Sequence, residues 1–74
     1  MQNYELFRER LQKLREEHKG LSRRTLSELC GLPSGTIRKY ERGEIENPSV
    51  ESIEAIADYF EVTVDYLIGR ANFR

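Results

Sequence analysis

Arg38, Lys39 and Arg42 are the side chains whose types and spacing point most directly to a chemistry. On a helix turning about 100° per residue, Ile37, Tyr40 and the flank of Glu41 fall on one face. Gly35, Lys39 and Arg42 fall on the other, with Thr36 and Arg38 beside them. Such a face suits anionic oxygens and the acceptor edge of guanine, because ammonium and guanidinium groups donate N–H to both. An ordinary solvated basic face carries the same pattern, so the wheel alone does not choose between the two. Other chemistries are poorly supplied. Cys30 is the single cysteine and His18 the single histidine. An internal disulfide and a zinc finger are thereby excluded. The sequence offers no nucleophile–base set, no metal-ligand spacing and no phosphate-cradling glycine loop. Neither an enzyme nor a cofactor is expected.

These cations need a scaffold, and 74 residues allow one small domain. That length excludes the (β/α)₈ barrel and the dinucleotide-binding double winding. Apolar residues make up 38% of the chain and charged residues 34%. The apolar positions nevertheless recur at helical intervals, which favours an economical all-helical fold over disorder. Five short helices follow. The first spans about 4–17, with Phe7, Leu11 and Leu14 as its stripe. The second spans about 23–30, capped by Ser22, with Leu26, Leu29 and Cys30 facing inward. The third spans about 34–42, capped at Pro33 or Ser34, with Leu32 plugging the turn before it. The fourth spans about 50–60, capped by Ser49 after Pro48. The fifth spans about 64–68, capped by Thr63, with Asp65 suited to the positive end of its dipole. Tyr40 and Cys30 read as core residues and His18 as a surface turn residue.

The net charge is −1, which read alone argues against a polyanionic partner. Its distribution reverses that argument. Residues 1–43 hold ten Lys/Arg against six Asp/Glu, whereas residues 44–74 hold two against seven. A phosphate backbone responds to the local face rather than to the sum. No apolar run reaches the length of a membrane span, and residues 1–15 do not read as a signal peptide. With one cysteine, a reduced, cytoplasmic location is the expectation.

Two helices joined by a three-residue, glycine-containing turn make a helix-turn-helix. The run Leu21-Ser22, Leu26-Ser27-Glu28-Leu29-Cys30-Gly31-Leu32-Pro33-Ser34-Gly35-Thr36-Ile37-Arg38-Lys39-Tyr40-Glu41-Arg42-Gly43 resembles the phage-repressor and Cro-like helix-turn-helix family, the XRE family. Asn47-Pro48-Ser49-Val50 and Val62-Thr63-Val64-Asp65-Tyr66-Leu67-Ile68-Gly69 are similar to its fourth and fifth helices. The resemblance covers roughly residues 5–69. It implies a compact five-helix, lambda-repressor-like DNA-binding domain over residues 1–69, followed by a short tail at 70–74. It implies a sequence-specific transcriptional regulator, a repressor that binds a double-stranded DNA operator as a homodimer.

By the same resemblance, Ser34, Thr36, Arg38 and Lys39 enter the major groove to read bases. Arg23, Arg24, Arg42 and Asn47 approach phosphates, with Arg23 foremost. Arg15 and Glu41 form a structural ion pair between the first and third helices. Tyr59, Tyr66 and Phe73 make an apolar patch for a second copy. The chain departs from the family pattern in two places. The turn at 16–20 is one residue longer, and so is the loop after Gly43, where Glu44 and Glu46 replace basic residues. The alternative is an antitoxin-type or adaptor module of the same fold whose partner is another protein, using the acidic 44–74 half. A regulator of this kind can also continue beyond Arg74 into a further domain.

Overall fold

The computed structural model describes residues 4–74 and contains five helices and, among those residues, no strand. They are α1 (Glu5–Glu17), α2 (Arg23–Leu29), α3 (Thr36–Glu41), α4 (Val50–Phe60) and α5 (Val64–Leu67). The expected domain range begins at residue 1; residues 1–3 lie outside the described part.

Three of the helices start where a hydroxyl meets an orphan backbone N–H. Ser22 accepts from Thr25 N at 3.0 Å, Ser49 from Ser52 N at 3.1 Å and Thr63 from Tyr66 N at 3.0 Å. The third helix starts differently. Gly35, not Pro33 or Ser34, is its N-cap, with φ 85° and ψ −5°. Thr36 N donates to Pro33 O at 3.1 Å, so Pro33–Thr36 forms a tight turn with glycine at the left-handed position. Helix therefore begins at Thr36, two residues later than the apolar period suggests.

The core gathers Phe7, Leu11 and Leu14 of α1, Leu26 of α2, Ile37 and Tyr40 of α3, Ile53, Ile56, Ala57 and Phe60 of α4, and Tyr66 and Leu67 of α5. Leu29 was expected inside but is 54% exposed. The reason is Ser27, which α2 turns inward and buries, swinging Leu29 out on the other side of Leu26. Cys30 and Leu32 pack against the core without being enclosed, and partial burial pushes the Cys30 thiol above its ordinary pKa. His18 caps α1 and lies at the surface, but its ring packs edge-on to Phe60 with centroids 4.9 Å apart.

The C-terminal segment folds back over α1 and α5. Arg10 donates to Tyr66 O and, at 2.6 Å, to Ala71 O, while its guanidinium lies 4.2 Å from the centre of the Tyr66 ring. Arg70 N and Ala71 N both donate to Asp65 O. Arg74 pairs with Glu17 at 2.8 Å, which holds the Glu17 carboxyl below its usual range. None of the helices described is long and apolar enough to cross a membrane.

Candidate nucleic-acid interface

Three helices share one carboxylate. Arg15 of α1 donates to Glu41 through Nε at 2.7 Å and Nη2 at 3.0 Å, one bond to each oxygen. Arg23 of α2 donates Nε to the same group at 2.8 Å. The Glu41 side chain is 2% exposed, against 12% for Arg15 and 47% for Arg23. The bond to Glu41 raises the pKa of the Arg15 guanidinium further. Arg15 also donates to Leu21 O at 3.0 Å, tying the turn before α2 to the cluster.

The corner between α2 and α3 is fixed a second time from within. Ser27 Oγ accepts from Ile37 N at 3.3 Å and so satisfies an N–H in the first turn of α3. Ile37 and Tyr40 are buried, with Tyr40 edge-on to Phe7 at 5.5 Å. With its inner face buried and Glu41 clamped, α3 has one rotation available. That rotation exposes Arg38 and Lys39. Among the described residues, neither forms an ion pair.

The four residues expected at base edges divide. Thr36, Arg38 and Lys39 lie on α3; Ser34 is exposed but sits on the turn ahead of the helix. The residues expected at phosphates are all exposed, and each of the three arginines has a carboxylate neighbour. Arg23 meets Glu41, Arg24 meets Glu28 at 3.9 Å, and Arg42 meets Glu44 at 2.9 Å. Asn47 is exposed in the loop before α4. The four-residue spacing of Arg24 and Glu28 is a sequence signal for their pairing. No such signal announces that Arg23 joins the Arg15–Glu41 pair.

The patch expected for a second copy needs correction. Tyr66 is buried under Arg10, so its ring is not surface. Tyr59 is exposed and rests edge-on against Phe60 at 5.1 Å, and Phe73 is 79% exposed. Among the described residues no group of acidic, histidine or cysteine side chains has the arrangement of a metal site.

Comparisons with known proteins point the same way as the geometry. A family profile described as helix-turn-helix matches residues 11–67. A search of curated proteins found no match. Among solved structures, the chain is similar to the P22 c2 repressor protein in complex with a synthetic operator, at 27% identity and a TM-score of 0.78. That alignment covers 90% of this chain and 98% of the repressor chain. It is also similar to a transcriptional regulator from Listeria innocua, at 32% identity and a TM-score of 0.78, over 96% of this chain and 63% of the regulator.

Proposed function

The chain belongs to the helix-turn-helix family of phage-repressor (XRE) type, and we propose that it represses transcription by reading duplex sequence with α3 in the major groove, as a two-fold dimer. It is a DNA-binding transcriptional regulator rather than an enzyme. The observation that carries the finer reading is the outer face of α3. Arg38 and Lys39 stand exposed and, among the described residues, without ion pairs on a helix whose opposite face is buried and whose rotation is locked through Glu41. Such a helix meets the groove with its donors already aimed.

Lys39 and Arg38 donate to guanine O6 and N7, and Thr36 and Ser34 make the shorter polar contacts. Gly35 offers no side chain, so discrimination is modest at the base it faces. Arg23, Arg24, Arg42 and Asn47 fix the register on the backbone without reading sequence.

Selection of bound fragments from random duplex DNA, followed by titration of single variants, tests this reading. Lys39→Ala should relax preference at one base position, at a cost of about 1–3 kcal/mol there. Arg23→Ala should weaken all sequences alike and lower the salt slope by about one. Unchanged sequence preference in Lys39→Ala would defeat the assignment of Lys39 to base reading.

A further inference from the structure

α3 ends in a Schellman cap. Gly43 N donates to Tyr40 O at 3.1 Å, Glu44 N donates to Lys39 O at 2.9 Å, and Gly43 supplies the left-handed residue at φ 74°. The motif pins the backbone of Glu44 against the last turn of α3. That is a poor place for an anion, because the carbonyl end of a helix is its negative end. It is poorer still beside a duplex, where repulsion acts within about 10 Å at 0.1 M salt. What Glu44 gains there is Arg42, whose Nε lies 2.9 Å from its carboxylate. Arg42 is a residue assigned above to phosphate, so one guanidinium serves two anions.

We propose that Glu44 competes with DNA phosphate for Arg42 and thereby lowers the affinity of the chain for every duplex by a common factor, leaving sequence preference unchanged. The inference rests on the DNA-binding reading given above. In the free chain the pair is closed. On DNA the phosphate displaces the carboxylate, and Glu44 is left facing a polyanion from the C-terminal end of α3. Among the described residues Arg38 and Lys39 have no paired carboxylate to displace, so contacts that distinguish bases escape this competition. Glu46 provides an internal comparison. It is exposed in the same loop and, among the described residues, forms no ion pair.

The test is fluorescence-anisotropy titration of a random-sequence duplex and a duplex recovered by selection, each at several salt concentrations. The proteins are the wild type, E44Q, E46Q, R42Q and R42Q/E44Q. E44Q should tighten both duplexes by about threefold at low salt, the scale of an exposed ion pair. It should also steepen the slope of log affinity against log salt by up to ~0.9. E46Q should gain less, and the gain from E44Q should shrink when Arg42 is already removed. Equal gains from E44Q and E46Q, or an undiminished gain in the R42Q background, would mean through-space repulsion without competition and would overturn the proposal. So would a changed affinity ratio between the two duplexes. Failure of the wild type to bind any duplex at the lowest salt would bring down the DNA-binding reading itself, and this proposal with it. Wild-type binding left unchanged by E44Q would bring down the proposal alone.

Discussion

Glu41 is an anion placed where little water reaches it, and two guanidiniums make that placement tolerable. The two are not equivalent. Arg15 engages both carboxylate oxygens from a nearly enclosed position, whereas Arg23 reaches one oxygen from a half-exposed one. Removing the partner of a buried charge costs far more than removing an exposed one. Arg15→Ala should therefore lower stability by about 3 kcal/mol, and Arg23→Ala by about 1 kcal/mol or less. Urea unfolding of the two variants measures both. Equal losses would show that Arg23 carries as much of the burial as Arg15. The asymmetry also fits Arg23 for its proposed second duty. Its Nε is committed to Glu41, while its side chain stays half-exposed at the first residue of α2, and a helix start favours phosphate.

At the scale of elements, what the sequence disclosed was what is local. Ser22, Ser49 and Thr63 each satisfy a donor three residues ahead, so their caps are visible in a short window. α4 was legible to the residue, because Pro48 and Ser49 mark its start and its apolar period is strong. The start of α3 was not. A proline-initiated tight turn and a short helix have the same apolar spacing, and only the left-handed Gly35 separates them. The fate of Tyr66 was hidden for a different reason. Its cover is Arg10, 56 positions earlier in the chain, and no local pattern pairs a cation with a ring at that distance. Arg10 binds two carbonyls and one ring, so it joins α1, α5 and the last residues in a single contact. Charge-assisted bonds of this kind contribute roughly 1.5–3 kcal/mol each. Arg10→Ala should destabilise the chain by about 3 kcal/mol or more, and amide exchange should quicken first at Arg70 and Ala71. Arg10→Lys should recover part of the loss, because one ammonium cannot reproduce a planar fork lying on a ring. Unchanged exchange at Arg70 and Ala71 would show that the backbone bonds to Asp65 O suffice to hold the segment.

The whole molecule carries a net charge of −1 and yet presents a basic edge to its proposed partner. The two facts are compatible because exposed charges act over about one Debye length, ~10 Å at 0.1 M salt. The described residues extend over 29 × 23 × 18 Å, so acids away from the contacting face contribute little to a complex formed at α3. The same dimensions bear on the proposed pair. Half-sites read by a two-fold dimer on one face of a duplex lie about 34–36 Å apart, one helical turn. The longest Cα extent, 29 Å, is of the same order as that interval, so neighbouring copies on adjacent major grooves would be close neighbours. Among the described residues, Tyr59 and Phe73 are the tyrosine and phenylalanine left exposed for such a contact. A palindromic duplex with half-sites one turn apart should therefore bind two copies cooperatively. Inserting about five base pairs puts the half-sites on opposite faces of the duplex and should abolish cooperativity while leaving single-site affinity intact. Phe73→Ala should weaken cooperativity on the in-phase duplex without altering affinity for an isolated half-site. If binding is equally independent at both spacings, the chain reads DNA as a monomer, and the exposed Phe73 needs another explanation.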